Sequence, residues 1–297
     1  MEFHAQLILL YLSPVFFAFI AVEWYVIAKQ RCYSQSASYS WTDTVSNGIL
    51  AGFHEIGDAA AAIFVVVIYD TLFEFRLFDI PSTVLTFSLL FVLQDFLYYW
   101  FHRASHNIRW MWCSHVVHHS SETLNFSTAM RQSLTYPISG MWVFWLPLVI
   151  IGFQPKMVVA IVLVNLAVQF FIHTQVVRKL GWLEVFFNTP SHHRVHHAKN
   201  PEYLEHNFGG TLIIWDKIFG TFVPERDDVE CVYGIPRQID THNPLTLTFH
   251  EWRDMFRDTF GPKKSLRNRI RHVFGHPEWQ PASDDDTRVE AADGRDS

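Results

Sequence analysis

The sequence predicts an all-α fold: a polytopic membrane bundle of about four to five helices carrying a His-rich cap on its cytosolic side. Three observations point there. Apolar runs long enough to cross a bilayer recur along the 297 residues. Only 18% of the residues are charged, against about 25% in a soluble domain. And the histidines gather in two places, five between His102 and His119 and four between His192 and His197, of 17 in the chain.

The runs justify themselves in order. Residues 5–28 are almost wholly apolar, with Glu23 as the one charge. They are long enough to cross about 30 Å of hydrocarbon as a helix. No basic stretch precedes them and no A-x-A site occurs before the run ends, so a retained span is expected rather than a cleaved signal peptide. Lys29 and Arg31 come next and mark that end as cytoplasmic by the positive-inside rule. The first unit is therefore 1–45, a membrane helix and a polar connector. A second apolar stretch, 46–73, begins with His54, Glu55 and Asp58. Ionisable groups at membrane depth face the bundle interior, and these three are expected to pair among themselves. A third run, 84–101, ends in Tyr98-Tyr99-Trp100-Phe101, an aromatic belt at a membrane exit. Runs 136–153 and 157–175 are joined by only Gln154-Pro155-Lys156 and form either a transmembrane or a re-entrant hairpin. In both cases the histidines share a side with Arg103, Arg109, Arg131, Arg178 and Lys179, while Arg76 and Lys156 lie opposite. That asymmetry places the histidines and the C-terminus in the cytoplasm.

Residues 46–223 are expected to be the catalytic membrane unit. A cytosolic extension follows over 224–279, with an amphipathic helix at 249–260. The stretch 280–297, rich in aspartate, reads as a disordered acidic tail. Cys32, Cys113 and Cys231 are scattered, odd in number and form no CxxC pair, so neither a disulfide framework nor a cysteine zinc site is expected. No basic stripe or nucleic-acid motif is present, which removes nucleic acid as a partner.

Imidazole is the commonest protein metal ligand. His102 and His106 are i and i+4, one turn apart on a single helix face. That helix is expected to continue the third span into the cytosol. His115, His118 and His119 repeat the logic at i, i+3, i+4, and His193, His196 and His197 repeat it with identical spacing. Eight imidazoles exceed one four-coordinate site and suit two metal ions. Spacing does not choose among Fe, Zn and Cu. Five further residues read as support or as an added ligand. Asp95, seven residues before His102, lies two turns back on the same face and is expected to accept an imidazole N–H. Asn165, Gln169 and His173 fall at i, i+4, i+8 on an otherwise apolar helix, with His173 at the cytosolic end as a ninth ligand. His192 is expected in the outer shell.

These boxes and their flanks resemble the fatty acid hydroxylase / sterol desaturase superfamily. The flanks are Asp95…Tyr98-Tyr99-Trp100-Phe101-His102-Arg103, Asn188-Thr189-Pro190-Ser191-His192-His193, Asn207-Phe208-Gly209-Gly210 and Trp215-Asp216-Lys217-Ile218-Phe219-Gly220-Thr221-Phe222. The likeness covers about residues 40–260. Within the superfamily it is similar to bacterial sterol-desaturase-like proteins and to the ether-lipid-cleaving branch, the latter through Ser120-Ser121-Glu122…Asn125 and Phe170-Phe171-Ile172-His173-Thr174. The resemblance implies a bacterial inner-membrane protein with two Fe ions, for which Zn substitutes in isolated protein. It implies O2, a membrane lipid substrate and hydroxylation or desaturation of a sterol-like, fatty-acyl or ether lipid. One position departs. Ether-cleaving members that use tetrahydrobiopterin carry an acidic residue directly after the second histidine of the first box, where this chain has Asn107, so the pattern does not carry pterin use over. No flavin, nicotinamide or haem motif is present, so electrons are expected from a separate donor. Two rival readings are a membrane metal-ion binding or transport protein, and a zinc-dependent lipid hydrolase with Glu122 or Glu205 as base.

Overall fold

A computed structural model describes residues 8–30, 33–262 and 264–281. Cys32 and nearly all of the acidic tail, from residue 282 onward, lie outside the described residues. Among those described the chain is helical, with only two isolated bridges, Phe187 to Leu212 and Ala198 to Tyr233.

Three helices are long and apolar enough to cross a membrane: α1 (Ile8–Lys29), α2 (Trp41–Glu74) and α3 (Val84–Asn107). The side chains of α1 and α2 are mostly exposed, as lipid-facing helices require. The chain is an integral membrane protein. Helix α2 starts inside the stretch expected to be connector. Its polar first turns are buried because Arg131 donates from Nη1 to Asp43 Oδ1 (3.1 Å) and Asn47 Oδ1 (2.9 Å). His54 and Asp58 pair at 3.6 Å, as expected of their i, i+4 spacing. A capping box between Thr83 and Thr86 starts α3. The helix then runs on through His102 and His106 without a break.

The hairpin over 136–170 has two unlike legs. The first is broken into α5 (Tyr136–Ser139), a 3-10 stretch (Met141–Trp145) and α6 (Leu146–Ile151). Pro137, Gly140 at φ 91° and Pro147 punctuate it. The second leg is one helix, α7 (Pro155–Phe170). The apex meets the α2–α3 turn: Leu77 N donates to Ile150 O (2.8 Å) and Phe78 N to Ile151 O (3.1 Å). A Cβ at Gly152, where φ is 129°, would run into Phe78 O, so only glycine closes that contact. Both legs therefore reach from the histidines to the far end of the α2–α3 hairpin. A core of Leu90, Tyr98, Phe101, Trp145, Leu148 and Ile161 fills the space between them.

Beneath the bundle lie α4 (Arg109–His119), α8 (Pro190–His197), α9 (Ile214–Phe219), α10 (Pro244–Phe260) and α11 (Leu266–Phe274). Asn243 caps α10 by accepting from Leu245 N and Thr246 N, so the helix starts earlier than its apolar spacing suggests. Buried Arg109 bonds Glu251 and Asp258, both at 2.8 Å, and fastens α10 to α4.

Candidate metal centre

Three helices and one turn bring nine imidazoles together. Ile108, in extended conformation, separates α3 from α4 and swings the second box back against the first. Pro190 at the first position of α8 sets the start of the third box. His173 sits on the turn just past α7, and its Nδ1 donates to Gln169 O at 2.7 Å. Asn165 and Gln169 stay on the helix, so the expected three-residue stripe leaves it at its last member.

The imidazoles form two buried groups. One is His102, His106, His115, His119 and His196; the other is His118, His173, His193 and His197. Within each group one nitrogen per ring lies within 4.8 Å of all the others. Both HxxHH boxes divide in the same way. The i, i+4 pair shares a helix face and enters one group, while the histidine beside it is turned by one residue into the other. His115 and His119 belong to the first group and His118 to the second; His193 and His197 belong to the second and His196 to the first.

The ring protons are fixed from behind. His102 Nδ1 donates to Phe208 O (2.8 Å), His118 Nδ1 to Arg131 O (3.2 Å) and His196 Nδ1 to His206 O (3.0 Å). A carbonyl only accepts, so each Nδ1 carries the proton and each Nε2 presents a lone pair. His118 Nε2 and His173 Nε2 then face each other at 3.1 Å with no proton between them. The other close Nε2 pairs lie at 2.9 to 3.1 Å. Two nitrogens about 2.1 Å from one metal and at right angles are about 3.0 Å apart. The donor set therefore fits a cation in each group. Buried His106 Nε2 and His196 Nε2, both in the five-membered group, have no hydrogen-bond partner, which is the same fit seen from the other side. Burial, followed by the neighbouring imidazoles, holds His115, His118, His119, His193, His196 and His197 well below the ordinary range. Burial pushes His173 down to about 4. All are neutral at pH 7, as metal ligands must be.

The expected supports are placed differently. Asp95 accepts no imidazole proton, which corrects the expectation. Its carboxylate takes Thr211 N (2.7 Å), Leu212 N (3.1 Å), Trp215 Nε1 (2.9 Å) and Asn165 Nδ2 (2.8 Å). The reason is proximity: loop 207–215 fills the space between Asp95 and the rings. Asp216 completes the hold, accepting from Phe208 N and Gly209 N at 2.7 Å each, so that Phe208 O meets His102. A Cβ at Gly210 would lie 2.8 Å from Tyr98 and 3.0 Å from Asp95, so the loop can close only on glycine. Gln169 receives Tyr98 OH (2.8 Å) and donates to Asn165 Oδ1 (2.6 Å). His192 joins neither group; its ring packs on Phe222.

Sequence reasoning missed Tyr136, whose OH is 2.7 Å from His115 Nδ1, because no spacing links them. It noted Glu23 without a role. Glu23 accepts from Phe126 N (2.7 Å) and from Thr174, the residue after His173, and so ties α1 to the second group. The first group borders a cavity of about 40 Å³ whose walls include His106, Trp112, His119, His196, Glu205 and His276. Glu205 Oε1 is 3.6 Å from His106 Nδ1. Glu122 is turned outward, 3.8 Å from Lys199. Asn107 bonds Arg103 O at 2.8 Å on the exposed end of α3, away from both groups.

A family model described as "Fatty acid hydroxylase" matches residues 87–221, the segment that holds all nine imidazoles. Human alkylglycerol monooxygenase is 44% identical over 210 residues, 70% of this chain and 46% of that protein. The Caenorhabditis elegans alkylglycerol monooxygenase is 34% identical over 285 residues, 91% of this chain and 54% of its own. Ornithine lipid hydroxylase OlsE of Rhizobium tropici is 30% identical over 131 residues, 44% of this chain and 40% of its own. The chain thus spans about half the length of the alkylglycerol monooxygenases it matches. No solved structure matches.

Proposed function

We propose that this chain is a membrane-bound, O2-dependent lipid monooxygenase that hydroxylates a C–H bond of an alkylglycerol-type ether lipid. His102, His106, His115, His119 and His196 hold one metal ion, and His118, His173, His193 and His197 hold another, both iron in the active protein. The observation that carries this reading is the facing lone pairs of His118 and His173 at 3.1 Å, a contact that only a shared cation makes favourable. The family match supplies the reaction class, and the alkylglycerol monooxygenases supply the substrate class. Bound iron supplies redox chemistry able to use O2 against an unactivated C–H bond, whereas zinc, with no redox chemistry, would leave the protein inactive.

The chain's own residues do the rest. Phe208, Arg131, His206 and Gln169 hold the rings in one tautomer and orientation through their carbonyls. Tyr98 and Phe101 are buried in the apolar core beside the first box and keep water from that side of the rings. The placement of one substrate carbon beside the rings would decide which bond reacts. The histidines face the cytoplasm, where a separate reductase delivers electrons. The lone pairs are spent within two closed groups rather than strung along the spans, which disfavours transport. With Glu122 turned away, a hydrolytic base is limited to Glu205.

The test is turnover of an alkylglycerol by purified, iron-loaded protein in lipid nanodiscs with a chemical reductant and 18O2. The expected result is incorporation of one labelled oxygen atom, lost in both His118→Ala and His196→Ala. Loss of two hydrogens without label would redirect the reading to desaturation, and turnover under nitrogen would favour the hydrolase.

A further inference from the structure

We propose that the outward face of the α10–α11 hairpin is an in-plane membrane anchor, lying on the leaflet nearest the histidines and selecting anionic headgroups.

The two faces of this hairpin differ in kind. Its inner face is conventional: Leu247, Trp252 and Met255 are buried, and Glu251 and Asp258 turn in to Arg109. The outer face leaves large apolar side chains uncovered. In α11, Leu266 (73% exposed), Ile270 (51%) and Phe274 (65%) fall at i, i+4, i+8 on one side. Arg267 and Arg271, also exposed, form a second row beside them. In α10, Phe249, Phe256 and Phe260 continue the apolar surface. Residues 264–274 carry Lys264, Arg267, Arg269 and Arg271 and no acidic residue, in a chain whose net charge is -6. A face built for water would interleave both signs. An apolar row flanked by arginines is the pattern of a helix lying in a headgroup layer.

Position selects the occupant. Gly275, directly after α11, accepts from Arg109 N at 3.0 Å, two residues past the end of α3. Trp110 donates to the carbonyl of Ile138, itself exposed on the wall of the bundle. From Trp110 an aromatic row runs through Trp252 (4.8 Å), Phe256 (6.1 Å) and Phe260 (6.1 Å). This row of ring contacts, passing through buried Trp252, fastens the exposed Phe256 and Phe260 to the wall of the bundle. Arg269 bonds Thr259 O (2.9 Å) and Lys264 O (3.2 Å), which fixes the turn between the helices. A second copy of the chain would oppose arginine to arginine, whereas an anionic leaflet complements them.

The test places nitroxide labels at Ile270→Cys and Phe256→Cys in the full chain with Cys32→Ser, since Cys113 and Cys231 are buried. Protein in nanodiscs of phosphatidylcholine alone, or with added phosphatidylglycerol, is probed by collision with O2 and with a water-soluble nickel chelate. We expect O2 collisions to dominate at both sites and to strengthen with phosphatidylglycerol. A label at Glu202→Cys, exposed on the cap, should stay nickel-accessible. Arg267→Glu with Arg271→Glu should remove the lipid dependence and raise nickel access at Ile270→Cys several-fold. Nickel access at both sites in both lipids overturns the anchor, as does spin–spin broadening between copies, which would assign the face to a dimer. O2 dominance indifferent to headgroup charge overturns the selection of anionic lipid.

Discussion

The two imidazole groups come from the same boxes but stand on different ground. The five-membered group leans on loop 206–221, through the carbonyls of Phe208 and His206, and opens onto the cavity beside Glu205 and His276. The four-membered group leans on the membrane helices, through Gln169 O at the end of α7 and Thr174 held by Glu23 of α1. Of its four rings only His197 reaches the cavity wall. The difference teaches that ligand count alone does not describe this centre. The five-membered group is set by segment 206–221 and borders the cavity; the four-membered group is set by the bundle and meets that cavity only through His197.

Removing a ligand should break the comparison most sharply. His115→Ala should empty the five-membered group and His173→Ala the four-membered one, each halving bound metal and lowering turnover by about 100-fold or more. Metal analysis beside activity checks this, and loss of both ions from either variant would mean that the groups are not separate. Next, Asp216→Ala releases Phe208 N and Gly209 N and should cost about 3 kcal/mol of stability. Its metal loss should fall on the five-membered group, read as a change in the cobalt-substituted spectrum. Acidification should affect both groups. The unfolded histidines take up protons below about 6.5, while burial keeps the folded ones neutral and His173 near 4. Stability conferred by neutral rings is thus complete above 6.5 and is lost as pH falls toward 4. Metal-free protein followed by thermal unfolding across that window should show it, and a flat profile would contradict the burial. The smallest effect belongs to Glu205→Gln. Removing the carboxylate 3.6 Å from His106 should weaken metal binding in the five-membered group by about 10-fold and leave the other untouched.

Much of the site was legible from spacing. An i, i+4 pair shares a helix face whatever surrounds it, so His102 with His106, His115 with His119 and His193 with His197 had to point together. His173 was legible because a lone polar row on an apolar helix aims inward. Asp95 was misread for an equally physical reason. Its place on the helix face was right, but its partner was decided by loop 207–215, more than a hundred residues away in sequence, which lies between it and the rings. Tyr136 was invisible because its partner, His115, is reached only after the chain folds back through residues 120–135. The outward face of α11 was missed because only burial separates Leu266, Ile270 and Phe274 from core residues of the same period.

By itself, then, the sequence determined the helical membrane class, the three boxes and their ligand type, because periodicity and burial cost act locally and need no partner. Only the tertiary structure decided how nine rings divide into five and four. That division depends on how α3, α4, α8 and the end of α7 cross, and crossing is set by packing between segments whose separation in the chain carries no signal of their contact.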